Sequence, residues 1–564
     1  MSEELLGRRM WLNRMSLPLI AGGFVGAQAV NAQTGITPSA EDRGTRVYNI
    51  RQFGAKGDGK TLDTASIQAA IDACHADGGG TVLIPEGEFQ TGSIELRSNV
   101  TLHVCASGKL VGSIDGKQYH AVDAIPLKGD STLEDGNWAL IFAVDSKNVT
   151  VEGPGLIDGQ GISFHAPQRG TPPPSGIGGN QRPYTLLFYR CENLRVRNVD
   201  LIRSAYHCVR VIQSNRVHMD GLYIHNRVNG NNDGFHFISC RHVTISNCIV
   251  ESQDDACALF GSCQYVAVTN SSFSTRWSVF RFGGGIAENI TVSNCLLYQV
   301  YGCPIKFHGG PGSRFENISF SDLVLQDVTG PINISVGPPT PRNPPEPAAE
   351  MASSRPPAVA RNIAFSNIQG TVTTDPGPLP DYPFANNYRH GEGHSCITLN
   401  CVGDAVLENI SFNNVHLTFG GGGTAEDAAR RDLPLIAGEY FMLGPMPAYG
   451  LYARNSRALT LTNVQFQVSQ PDLRPAVIFD RVQDVSVNGF NVEANRQAES
   501  ALRFINTSDV FIAATRLLTS AATFLQLEGG SNHAITIDGG DISKAATAVK
   551  ATGGATDSAV KVRA

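Results

Sequence analysis

The sequence is short of charge. Only 17% of its 564 residues are Asp, Glu, Lys or Arg, and 44 basic against 51 acidic residues leave a formal net charge of −7. Without a basic excess nothing can neutralise a run of phosphates, which excludes a general nucleic-acid binder. An acidic carbohydrate remains open as a substrate, because a local basic cleft can sit on an acidic protein. No apolar run of membrane-spanning length follows the first 32 residues, so a membrane partner is not expected. None of the 12 Cys forms a Cys-x-x-Cys pair, and the chain is far too long for a disulfide-stapled scaffold. Buried free thiols are the simplest reading, with Cys396–Cys401 as a conceivable disulfide. What is present is a 41% hydrophobic share, which excludes wholesale disorder, together with 59 Gly and 30 Pro, which favour turns over long helices.

One pattern recurs: a polar residue, often Asn, then an alternating apolar/polar run, then often Asn again. Examples are Asn193-Leu194-Arg195-Val196, His242-Val243-Thr244-Ile245, Asn289-Ile290-Thr291-Val292, Asn409-Ile410-Ser411-Phe412 and Asp509-Val510-Phe511-Ile512. From Asn193 to Ala534 the start-to-start intervals are 23, 26, 23, 24, 28, 45, 47, 49, 26, 25 and 25 residues. Such a period, with short β runs and almost no helical patterning, predicts an all-β solenoid in which each coil buries its apolar side against its neighbours. The three long intervals each hold an extra coil or a long loop. A set of separate β-sandwiches does not explain one uniform period over so much chain.

The ends and interruptions have their own signatures. Residues 1–32 read as an export signal: Arg8-Arg9 is a twin arginine, a weakly apolar stretch follows, and Val30-Asn31-Ala32 offers a cleavage site. This predicts a periplasmic or secreted protein, with 33–47 as linker and 48–564 as one solenoid domain. Between Asp63 and Cys74, Ile67, Ala70, Ile71 and Cys74 fall on one helical face, predicting an N-terminal helical cap. The glycine-rich Gly78-Gly79-Gly80 leads into a strand with no Gly-Lys-Ser/Thr, so it is not a phosphate loop. Loop insertions are expected near 338–360, 370–395 and 420–447, walling a cleft.

Two acidic clusters break the apolar rhythm, Asn231-Asn232-Asp233-Gly234 and Gln253-Asp254-Asp255-Ala256. Asp233 and Asp254 stand close to one coil apart in sequence, which in a parallel solenoid places them on adjacent rungs, roughly 4.8 Å apart. Carboxylates so crowded repel, and at least one should keep its proton near neutral pH. A glycosidase needs that division of labour, an acid for the leaving oxygen and a base for water. Adjacent aspartates also serve as solvated or metal-binding loops, so the rung offset is what favours catalysis.

These motifs resemble glycoside hydrolase family 28, the polygalacturonase-like right-handed parallel β-helices of the pectin lyase-like superfamily. The resemblance covers most of 48–468 and runs through the Phe53–Pro85 cap, Gly153-Pro154-Gly155-Leu156-Ile157-Asp158-Gly159, Arg182-Pro183, both aspartate clusters and Ile305-Lys306. It implies hydrolysis of α-glycosidic bonds in galacturonan- or rhamnogalacturonan-type pectin with inversion, Asp254 as general acid and Asp233 and Asp255 positioning and activating water. No metal or cofactor is expected, and the partner is a uronate-containing poly- or oligosaccharide bound by a monomer. Two departures stand out. The family's Gly-His-Gly is absent, with Arg276-Trp277-Ser278 in its region, and Arg-Ile-Lys reads Pro304-Ile305-Lys306. Arg276 or Arg281 is therefore a candidate to replace the missing charge beside Lys306. Asn231, Arg203, His207 and His308 complete the candidate substrate-binding residues, with Arg203 and His207 expected on the floor of the acidic site. A calcium-dependent lyase of the same fold, with Arg281 as base, and a non-catalytic binder stacking sugars on Tyr206, Trp277 and Tyr301 are the alternatives.

Overall fold

The computed structural model describes residues 44–125, 137–168, 170–338, 355–385 and 388–563. The export signal and most of the linker lie outside the described residues, as does the Pro-rich excursion at 339–354.

Alternation along each run turns into coils of a right-handed parallel β-helix. A typical coil carries three short strands, for example Arg241–Ser246, Ile249–Ser252 and Cys257–Phe260. The third strands of successive coils stack into a 15-stranded sheet, and the first two stack into the remaining wall. In the 15-stranded sheet the register is parallel throughout, as in Val209↔Phe235↔Cys257↔Phe280↔Ile305.

The recurrent asparagines make the corners. In Ile286–Val300, Ile290 and Val292 are buried, and so are Cys295 and Leu297. The phase skips one residue at Asn294, whose φ of 53° is left-handed, so both halves of the strand face the core. Asparagine tolerates that conformation better than other side-chain-bearing residues. Its amide also pairs along the helix: Asn409 donates to Asn362 at 2.8 Å, Asn414 to Asn367 at 3.0 Å and Asn463 to Asn414 at 2.9 Å.

The cap helix spans Thr64–Ala76 and buries Ile67, Ala70, Ile71 and Cys74. The long intervals hold loops, not extra coils, because strands Arg314–Val328, Val359–Val372, Val406–Phe419 and Arg457–Val468 pair directly in order. All twelve cysteines are free, including Cys396 and Cys401, and eleven of them are buried. No helix among the described residues is long and apolar enough to cross a membrane.

Candidate active site

The site begins where four coils enter the 15-stranded sheet. His207, Asp233, Asp255 and Ser278 each precede a strand by two residues. Their backbones are laddered by Cys208 N–H to Asp233 O at 3.0 Å, Gly234 N–H to Asp255 O at 3.0 Å and Ala256 N–H to Ser278 O at 2.8 Å. Asp233 and Asp255 therefore occupy consecutive rungs.

The Asn-Asn-Asp turn is rigid because its middle residue is a staple. Asn232 Oδ1 accepts from Val228 and Asn229 N–H, and its Nδ2 donates to Ser204 and Tyr206 carbonyls. Its own carbonyl accepts from Gln253 and Asp254 N–H at 3.2 Å each, tying the two acidic turns together. Asn231 is exposed and left-handed at φ 56°, and its Oδ1 accepts from Arg182 at 3.1 Å.

The three carboxylates meet different surroundings. Asp254 Oδ1 accepts from Asp255 N–H at 2.8 Å, but among the described residues no cation forms an ion pair with it. Burial, then the negative charge of Asp255, pushes its carboxyl from the ordinary 3.8 to about 7, against a lowering pull from Lys306. Asp255 is 9% exposed; its Oδ1 accepts from Ser278 N–H at 3.1 Å, and its Oδ2 lies 4.0 Å from Arg281 Nε. Asp233 accepts from His236 Nδ1 at 2.8 Å, and His207 Nε2 lies 3.5 Å from its other oxygen.

The two imidazoles stack at 4.3 Å. Burial pushes both well below the usual histidine range, reinforced by Arg210, so both are neutral, and His236 donates to Asp233 from Nδ1. The ring nitrogens and Asp233 lie within 4.8 Å of one another, close enough in principle for a metal ion. The contacts are those of a hydrogen-bonded group instead: 2.8 Å fits a proton between nitrogen and oxygen, and the Arg210 guanidinium stands 3.2 Å from His207 Nδ1.

A cationic pair flanks the acids. Arg281 and Lys306 are in register on adjacent strands. Both contact Glu439 of the 420–447 insertion, Arg281 Nη2 at 3.1 Å and Lys306 Nζ at 2.8 Å. His308 Nε2 donates to the Ala437 carbonyl at 3.1 Å, which leaves Nδ1 to face Arg281 at 3.4 Å. Burial first, then the Arg281 charge, lowers His308 to about 4, so it is neutral.

Of the predicted residues, the structure gathers Asp233, Asp254, Asp255, His207, Arg281, Lys306 and His308. Two others lie elsewhere. Arg203 does not line the floor: it is exposed and turned back toward the preceding coil, where it pairs with Asp158. Arg276 does not replace the missing charge, being buried against Glu392 at 3.0 Å and the Tyr301 carbonyl at 2.8 Å. Arg281 has the register to do so. The sequence reading missed His236, Arg210 and Glu439. The first two carried a signal, because Val209-Arg210-Val211 and Phe235-His236-Phe237 repeat the pattern of Phe280-Arg281-Phe282 and Ile305-Lys306-Phe307 on one outward-facing column. Glu439 lies in an insertion with no period and carried none.

The sequence profile of Glycosyl hydrolases family 28 matches residues 74–377. The chain is 26% identical over 402 residues to Polygalacturonase-2 of Solanum lycopersicum, covering 67% of this chain and 81% of that protein. It is 24% identical over 407 residues to an exopolygalacturonase of Platanus acerifolia, covering 70% and 96%. The structure of the family 28 exopolygalacturonase of Yersinia enterocolitica superposes with a TM-score of 0.55 at 19% identity, covering 79% of each chain, and shares the fold. With more than half of its length matched by the family profile, this chain belongs to glycosyl hydrolases family 28 and is a glycoside hydrolase.

Proposed function

We propose that the enzyme hydrolyses α-glycosidic bonds of pectin-type polysaccharide or oligosaccharide, galacturonan or rhamnogalacturonan, with inversion. The observation that carries this reading is the division among three carboxyls on two consecutive coils, with Asp254 holding a proton near neutral pH beside Asp233 and Asp255. Asp254 donates that proton to the glycosidic oxygen as the bond to the anomeric carbon breaks. Water adds to the opposite face of that carbon, and its proton passes to the Asp233–Asp255 pair. His236 holds Asp233 in orientation by its Nδ1–H hydrogen bond, and the neutral His207 ring stacks against His236. Asp255 is oriented by Ser278 N–H. The polygalacturonase names of the relatives support the substrate class.

Family membership favours hydrolysis over elimination, and the alternative base, Arg281, is committed to Glu439 and His308. Residues 1–32 are read as a twin-arginine export signal, giving a periplasmic or secreted enzyme that acts as a monomer. Incubation with polygalacturonate and with rhamnogalacturonan, with and without chelator, tests the reaction. New reducing ends with a β-anomeric first product and no unsaturated absorbance are expected; chelator-sensitive absorbance would mean elimination.

A further inference from the structure

The cation pair beside Asp254 is already occupied. Ala437, Gly438 and Glu439 cross the outer face of the 15-stranded sheet. The Ala437 carbonyl takes His308, Gly438 N–H donates to Ser335 Oγ at 3.2 Å, and Glu439 bridges Lys306 and Arg281. The next two residues anchor the crossing: Tyr440 is buried with its hydroxyl 3.2 Å from Glu392, and Phe441 packs beside Trp277 and under Arg389. Lys306 is 2% exposed and Arg281 8%.

We infer that Glu439 is a specificity-determining residue that fills the place of a substrate carboxylate, so that the sugar on the leaving-group side is uncharged. The inference rests on the hydrolase reading above. Lys306 and Glu439 both act electrostatically on Asp254, and Arg281 approaches Asp255, so this cluster adjoins the proton that the leaving oxygen receives. A free uronate entering there would meet cations already neutralised. To reach them it would have to expel Glu439, whose carboxyl Lys306 and Arg281 hold well below the ordinary range, leaving one of two carboxylates without its cations. A neutral sugar, or a uronate whose carboxyl is esterified, meets no such conflict. One coil further on, Asn333 stands in register with Lys306, fully buried, with neither amide atom hydrogen-bonded among the described residues. An unspent donor and acceptor together suit a hydroxyl better than a carboxylate.

The test compares kcat/KM of the full chain on oligogalacturonides bearing a free acid or a methyl ester on the leaving unit, and on a rhamnogalacturonan oligosaccharide with neutral rhamnose there. The wild type should favour an uncharged leaving unit at least tenfold, the ester and rhamnose arms saying which kind. Glu439→Gln should shift that ratio at least tenfold toward the free acid. A wild-type preference for the free acid, or an unchanged ratio in Glu439→Gln, would overturn the assignment. Calorimetry supplies a readout without turnover. Tri-galacturonate should bind Asp254→Asn/Glu439→Gln at least tenfold more tightly than Asp254→Asn, with equal affinities counting against the proposal. If that difference appears while the wild type hydrolyses none of these substrates, Glu439 still fills a carboxylate's place beside Lys306 and Arg281, and it is the pectin substrate class that falls.

Discussion

Two stretches of the same outward-facing sheet surface treat charge in opposite ways. Around Asp233–Lys306, carboxyls crowd together and Asp254 has no ion pair among the described residues. Farther along, around Asn400, the buried guanidiniums of Arg454 and Arg503 are both held by protein partners. Arg454 donates to Asn400 Oδ1 and to the Leu433 and Pro434 carbonyls, and Arg503 pairs with Glu499 and donates to the Ala428 carbonyl. The scaffold is the same in both places. The 420–447 insertion reaches both stretches, through Glu439 at the first and Leu433 and Pro434 at the second, but it brings no cation to Asp254, so the first keeps an electrostatic cost in place. A carboxyl left without an ion pair beside two others marks where chemistry is done.

Substitution breaks this contrast at several strengths. Asp254→Asn should lower kcat by about a thousandfold while circular dichroism stays unchanged. In the wild type, kcat/KM should fall as pH rises through about 7, the value to which Asp254 is pushed. Stability follows the same sign. Because its folded pKa lies above 3.8, the folded chain holds a proton that the unfolded chain has released, so stability present at acid pH is lost as pH rises through about 7. The melting temperature of Asp254→Asn relative to wild type should therefore climb between pH 4 and 8, by about 2 °C. A flat difference would mean that Asp254 ionises without cost.

On the second stretch the outcome should reverse. Arg454→Met should cost about 3 kcal/mol in urea unfolding, since Asn400 and two carbonyls lose their donor, with kcat per folded molecule unchanged. His236→Phe should reduce kcat about tenfold through loss of the Asp233 hydrogen bond, corresponding to about 1.4 kcal/mol, with little change in KM. Smallest of all, Asn414→Gly keeps the left-handed corner but cuts two ladder bonds, and should lower the urea midpoint by about 1 kcal/mol equivalent without touching turnover.

Much of this was legible in the chain because a solenoid writes its geometry as a period. A 21-residue interval between Asp233 and Asp254 translates directly into neighbouring rungs, and the apolar–polar–apolar triplets around Arg281 and Lys306 point their middle residue outward. Arg203 and Arg276 were misplaced because a period fixes which coil a residue occupies, not which partner its long side chain finds. Arg203 turned to Asp158, and Arg276 to Glu392 from a distant loop. Glu439 was beyond reach for the same reason, since a side chain delivered by an aperiodic insertion has no register to read.

The stapled corner at Asn232 also limits how this molecule can change. Loops that leave the spiral at its bends can grow by any number of residues, as the 420–447 excursion does, without disturbing what lies on either side. A single residue gained or lost inside Arg241–Ser252 is another matter: it would swing the Asp254 turn out of line with Asp233 and reverse which side chains face inward. Variation in substrate choice is therefore free to accumulate at the bends, while the catalytic pitch admits change only in whole turns.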